Sequence, residues 1–351
     1  MSPERIAWGV GGVGIVGCVI GWIVVPAVFA HAWLGALACW IGWPLGSLAL
    51  LLIHSVSGGR WGYAIRPALV FGVLTLPLAL LGVLPVLVEL PALYPWARPG
   101  AALGNAAYLN VAFACGRAVL YLVVWLGLAA LVLGALRRDD TADAALYRLA
   151  PFGLIALMLT ATFGGFDAVL SLDPHFNSSI FGMIVAGEGV LFALAVASLL
   201  TLLIAPPPPR IIADLGKLLL ALLLLWAYFV FMQLLIVWNS DLGSDAPWYV
   251  ARVAHGWGIV AGVIALFHFL VPFLMLIWPQ VQRSRRAMLA VCVMLVVSES
   301  LRGWWLVAPA QGRALSWVDV VAMLAFGGLA AGLGMRARRL PALAKGAGWH
   351  G

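Results

Sequence analysis

The stretch "FGGFDAVLSLDPHFNSSIF", residues 163–181, carries Asp167, Asp173 and His175 between two long apolar runs. Asp-Pro followed by Asn-Ser-Ser is turn chemistry, so the two runs fold back on each other. Each run supplies the roughly 20 apolar residues that a membrane helix needs. The stretch therefore reads as the end of one membrane span, a short polar turn and the start of the next. The rest of the chain repeats this pattern.

The chain has 351 residues, of which 64% are hydrophobic and 9% charged. A soluble domain carries about 25% charged residues, so that class is excluded. Apolar windows give ten spans, at about 6–30, 34–54, 67–89, 106–136, 149–171, 178–205, 214–239, 250–278, 287–307 and 316–335. Turn-rich segments separate them, among them "SVSGGRWG", "LRRDDTADAA", "APPPPR" and "NSDLGSDAPW". The expected fold is an all-α integral membrane protein of about ten transmembrane helices in a single membrane domain. Pro26, Pro77, Pro85 and Pro272 are expected to kink or break their helices.

Ten spans put both ends of the chain on one side. That side collects 15 Lys and Arg residues against 4 on the other, with Arg117 inside a span. The asymmetry predicts cytoplasmic termini under the positive-inside rule. The net charge of +7 is thus read as a topology signal. The tail "RARRLPALAK" is an orientation signal that meets lipid headgroups, and no nucleic-acid partner is expected.

Cys18, Cys39, Cys115 and Cys292 lie in apolar runs and form no C-x-x-C pair. Nothing supports a disulfide framework, a zinc site, an iron–sulfur cluster or covalent haem attachment. Arg5, an apolar run and "AHA" at 30–32 imitate a signal peptide. The run from Ile6 to Phe29 exceeds the usual 7–15 apolar residues, so an uncleaved first helix is expected.

Ionisable residues in hydrocarbon are costly and need a reason. Arg117 and Asp167 lie at similar depth on antiparallel spans. They read as an ion pair, or as a functional carboxylate tuned by its arginine. Asp173 and His175 sit in the following turn, where Asp173 or Asn177 could cap the next helix. Glu188 lies about 10 residues into span 6 with no arginine near it in sequence. Glu299 and Arg302 are three residues apart on span 9 and can pair directly. Lys217 sits one turn into span 7 and reads either as a snorkelling lysine or, with Tyr228 at helical spacing, as one of two residues that can face an interior path. His255 and His268 share span 8 in this reading. Their depths do not match those of His31 and His54, so a hydrogen-bonded pocket is preferred to haem ligation for each.

Four segments carry a family resemblance: "HSVSGGRWG" (54–62), "FDAVLSLDPHFNSSIFG" (166–182), "ADLGKLLLALLLLWAYFVFMQLLIVW" (213–238) and "HFLVPFLMLIWPQVQR" (268–283). They resemble the NrfD-like membrane subunits of bacterial alternative complex III, especially the smaller quinone-binding-type subunit. The resemblance implies two four-helix bundles, 34–171 and 178–307, with two peripheral helices. It implies no redox centre on this chain, with quinone or quinol as the small-molecule contact. The implied partners are a second NrfD-like subunit, an iron–sulfur subunit, multihaem cytochrome c subunits and a terminal oxidase. His54, Asp167, Asp173, His175, Lys217 and Tyr228 match family positions, and Glu188, Glu299 and Arg302 match less closely. "FDAVLSLD" departs from the family by lacking a tryptophan after the aspartate.

The combined expectation is a cofactor-free subunit of a quinol-oxidising complex in the bacterial inner membrane. Asp167, Asp173, His175, Glu188, Lys217, Tyr228, His268 and Glu299 are its candidate proton path. His54 and Arg60 are its candidate quinone contact, and Arg117–Asp167 and Glu299–Arg302 its candidate ion pairs. A proton-coupled secondary transporter and a purely structural anchor are the alternatives. The charge split predicts that a reporter fused after Arg339 reads cytoplasmic and one in the 240–247 loop periplasmic. Same-side readings would remove the ten-span topology.

Overall fold

The computed structural model describes residues 2–100, 105–138, 141–240, 243 and 245–337. Ten helices among them are long and apolar enough to cross a membrane, and no strand is present. Spans 1 to 5 are Pro3–Val24, Pro26–Ser57, Arg60–Val88, Val111–Leu136 and Ala142–Leu172. Spans 6 to 10 are Phe181–Ile204, Pro209–Ser240, Trp257–Leu276, Arg285–Gln311 and Trp317–Arg336.

Local chemistry sets the ends. Ser2 accepts a hydrogen bond from the Arg5 N–H and Asn110 one from the Phe113 N–H, each capping a helix whose first N–H groups lack partners. Ser284 does the same for Ala287 at the start of span 9. The break between spans 1 and 2 falls at Val25, not at 31–33. Proline lacks an N–H and suits the first turn of a helix, so Pro26 begins span 2 instead of kinking span 1. His31 therefore lies inside span 2.

Span 3 begins at Arg60, a full two turns before the expected start, after Gly58 and Gly59 turn the chain at φ 67° and 103°. It is interrupted around Pro77, as its missing N–H requires. Span 8 begins later than expected, because His255 and Gly256 adopt left-handed φ values of 51° and 85°. Hence His255 lies in a turn and shares no helix with His268. Pro44, Pro67 and Pro151 sit inside helices that continue past them.

Without water to drive association, membrane helices hold together through close packing, and small residues let backbones approach. Span 1 pairs with span 10, with Gly11 against Gly328, Gly14 against Ala325 and Gly21 against Val318. The register is antiparallel, so both described ends of the chain lie on one face, here called the terminal face. Span 2 is the most enclosed helix and packs against spans 3, 5, 6, 9 and 10. Gly42 and Gly46 meet Gly189 of span 6, and Gly35 and Cys39 meet Gly303 of span 9. Residues 35, 39, 42 and 46 form one small-residue stripe at helical spacing.

A Cβ on Gly46 would run into the Gly189 carbonyl oxygen, so the backbones themselves would have to separate. Gly46→Leu should cost about 3 kcal/mol, the upper end for overpacking. Thermal melts in detergent should show a large loss for Gly46→Leu and almost none for Gly134→Leu, which enters open space. Equal melting of the two would reject span 2 as the packing axis.

Candidate functional site

Glu188, His268, Glu299 and Arg302 meet in the interior at 2%, 1%, 1% and 7% exposure. They come from spans 6, 8 and 9. Gly189 locks span 6 onto span 2, which fixes its neighbour Glu188. Gly303 does the same for span 9 beside Arg302. Glu299 and Arg302 share a helix face with Cys292 and Leu295, all buried.

His268 sits in a π-helical turn, Ala265–Leu270. Pro272 lacks an N–H, and its ring crowds the carbonyl four residues back, which belongs to His268. A widened turn relieves that conflict, and such turns favour functional positions.

Arg302 donates two 2.8 Å hydrogen bonds to Glu299, from Nε to Oε2 and from Nη2 to Oε1. Its Nε is also 3.0 Å from Glu188 Oε1, but the N–H is directed at Glu299. Glu188 Oε1 lies 3.2 Å from His268 Nε2. Both Glu188 oxygens and His268 Nε2 are buried without an aligned hydrogen bond. On its other side His268 Nδ1 is 2.8 Å from Ser298 Oγ, and the Trp226 ring packs edge-on at 4.6 Å.

Two carboxylates thus share one guanidinium in a low-dielectric interior, which leaves one negative charge to neutralise. Ligand atoms of Glu188, His268 and Glu299 lie within 4.8 Å of one another, close enough for a metal ion. A divalent ion would overshoot the balance and sit beside Arg302. A single proton balances it.

The cluster borders a partly open cavity of about 470 Å³ lined by spans 2 to 6 and 9. That is within the range of about 300–1,000 Å³ typical of small-molecule sites. The lining is largely apolar, running along span 2 from Leu34 to Ile53. Glu188, Glu299 and Arg302 supply polar edges, and Tyr121 and Asp167 another.

Asp167 is held differently. Arg117 donates to both its oxygens at 2.8 Å, and Tyr121 donates to Oδ2 at 2.7 Å. Arg117 Nη1 donates to the Tyr108 carbonyl, and its guanidinium lies 3.8 Å over the Tyr108 ring. Burial, reinforced by the Asp167 charge, pushes the Tyr108 hydroxyl up to about 12.

Arg252, in the connection before span 8, is 1% exposed. It lies over the Trp248 ring at 3.1 Å and donates to the Trp248 and Leu306 carbonyls. Burial pulls its guanidinium down to about 9, still charged at neutral pH.

The remaining sequence candidates lie apart from the cluster. Asp173 accepts from the His175 N–H at 3.2 Å, forming a local turn, and His175 is exposed. Span 6 starts after Ile180 with no side-chain cap, so neither Asp173 nor Asn177 caps it. Lys217 is an exposed partner of Asp214, and Tyr228 is 54% exposed. The two do share a face of span 7, but that face points outward and not into an interior path. The buried face carries Leu219, Leu223, Trp226 and Gln233. His54 Nε2 meets the Gly59 carbonyl at 2.9 Å, holding the turn between spans 2 and 3. Arg60 is exposed, and neither His54 nor Arg60 lines the cavity. Arg302 is one of the four basic residues that the sequence places toward the outer side, and it is buried in span 9.

Sequence reading passed over Trp226, Gln233 and Ser298. Trp226 and Gln233 lie within the "ADLGK…WAYF…Q" segment, whereas Ser298 had only its position beside Glu299 as a signal. No protein-family model matches the chain, and no curated protein matches it.

Asp167→Asn should leave Arg117 buried without a counter-charge and cost about 3–5 kcal/mol. The double variant Asp167→Asn/Arg117→Met should recover most of that loss in a thermal melt. Failure of the second change to rescue would remove charge balance as the reason for the pair.

Proposed function

We propose that the chain is a membrane subunit of a quinol-oxidising respiratory complex of the alternative complex III type. In this reading it holds no redox centre and carries protons through the Glu188–His268–Glu299–Arg302 cluster. The observation that supports it most is the charge imbalance of that cluster: two buried carboxylates, one arginine, and a histidine with an unbonded nitrogen facing one carboxylate. Intramembrane acids of this kind commonly mark proton relays.

The apolar cavity fits the second part of the reading, contact with an isoprenoid quinone. Its lining is apolar along span 2, with Glu188, Glu299 and Arg302 as the polar edge. Bound quinol would supply electrons and protons, and the electron carriers would belong to partner subunits. Glu188 would accept a proton at a carboxylate oxygen, with His268 Nε2 beside it as the next acceptor. Arg302 and Glu299 would hold the local charge while the proton moves. The proposed site for quinone is this cavity and not the His54–Arg60 turn. The proposed setting is the bacterial inner membrane with cytoplasmic termini, supported by the basic terminal face. The proposed partners are a second NrfD-like subunit, an iron–sulfur subunit and multihaem cytochromes.

Glu188→Gln keeps the shape and removes the titrating group. In the complex purified from native membranes, subunit abundance should stay normal. Quinol oxidation and coupled proton release should fall by at least about tenfold, a modest value for losing a proton-transfer group. Normal proton release in a normally assembled variant would defeat the proposal.

A further inference from the structure

We infer that Ser298 sets the tautomer of His268 and thereby keeps one exchangeable proton between His268 Nε2 and Glu188. The inference deepens the proposed function, and rests on it for the proton's purpose. The placement of the proton itself follows from geometry.

Ser298 is 2% exposed and has one hydroxyl hydrogen. That hydrogen is committed to the Met294 carbonyl, 2.6 Å away on the preceding turn of span 9. Toward His268 Nδ1, at 2.8 Å, the Ser298 oxygen can therefore only accept. His268 must carry its N–H on Nδ1, because the tautomer follows from the partner of each ring nitrogen.

The consequence falls on Nε2. With Nδ1 protonated, a neutral ring leaves Nε2 as a bare acceptor. It faces Glu188 Oε1, another acceptor, at 3.2 Å, and neither atom has an aligned hydrogen bond elsewhere. Two bare acceptors in contact repel. One added proton, carried either by the Glu188 carboxyl or by Nε2, removes that repulsion, and a small rotation of the carboxyl or the imidazole then aligns the pair as a hydrogen bond. The transfer between them breaks one O–H bond and forms one N–H bond, with no other change.

Charge counting reaches the same number independently. Glu188 and Glu299 against Arg302 leave one negative charge, and the shared proton cancels it. The charged and polar groups facing the pair are Glu299 and Arg302 of span 9, with Cys39 of span 2 packed against the neighbouring Gly303. Trp226 of span 7 covers the imidazole ring. Hydrogen-bond polarity and charge balance thus agree on a single proton, and the acceptor–acceptor contact places it between Glu188 and His268.

The test is histidine ¹⁵N nuclear magnetic resonance on the purified full chain in lipid nanodiscs, with the His268 signal assigned by its loss in His268→Gln. The wild type should show Nδ1 protonated and Nε2 intermediate between protonated and bare. Ser298→Ala removes the acceptor, so the N–H should move to Nε2. Ser298→Thr keeps a hydroxyl and should restore the wild-type signal. Glu188→Gln, read separately in case Ser298→Ala folds poorly, should leave Nδ1 protonated with no shared proton. A wild-type His268 bearing its single N–H on Nε2 would overturn the inference, as would an unchanged spectrum in folded Ser298→Ala. A tautomer shift with normal quinol turnover and proton release in the assembled complex would support Ser298's role and count against the proposed function instead.

Discussion

Span 2 meets span 6 backbone to backbone at Gly46 and Gly189, and the interior is arranged around that contact. In lipid the helices gain nothing from hiding apolar surface from water, so proximity must supply the attraction. The same helix uses Gly35 and Cys39 to draw in Gly303 of span 9. The residues adjacent to these contacts are Glu188 and Arg302. The small-residue stripe therefore fixes the separation of the charged groups as well as the helix packing. A looser contact would let the carboxylates drift from their shared arginine, at a steep cost in a low-dielectric medium.

Two of the acid–arginine arrangements among the described residues have opposite hydrogen-bond economies. Asp167 receives three aligned hydrogen bonds, two from Arg117 and one from Tyr121. A carboxylate so satisfied serves architecture, joining spans 4 and 5. Glu188 receives none, although Arg302 and His268 lie within ion-pair distance. Incomplete satisfaction of a buried polar group is costly and asks for an explanation. The proton proposed at this contact would account for it without adding any group to the structure.

The turn that follows span 5 has a different role from its charged neighbours. Phe176 stacks on Trp248 at 4.6 Å and 5° between planes. Ser178 donates to Gln233, and Gln233 donates to the Tyr249 hydroxyl. The segment around Asp173 and His175 thus ties the start of span 6 to span 7 and to the connection before span 8. Asp173 itself serves the backbone of its own turn. Of the three titratable groups in this stretch, only Asp167 reaches the cavity.

The fold class and the ten spans were legible in the chain because hydrophobicity and length decide them locally. Helix ends were less so: Pro26 divides spans 1 and 2 within a nearly unbroken apolar run, and His255 and Gly256 delay span 8. The Arg302–Glu299 pair was visible as a three-residue spacing, and Arg117–Asp167 as a depth match. Lys217 and Tyr228 were assigned to a common face correctly but to the wrong side of the protein, because leucines occupy both the buried and the exposed faces of span 7 and do not distinguish them. Only tertiary structure decided that Glu188 and His268 join Arg302, since contacts on span 2 draw spans 6 and 9 together and span 8 brings in His268 by packing on span 9. Ser298 gained its meaning the same way. A serine beside a glutamate is unremarkable in sequence, and becomes specific only when a histidine from another helix meets an oxygen whose hydrogen is already in use.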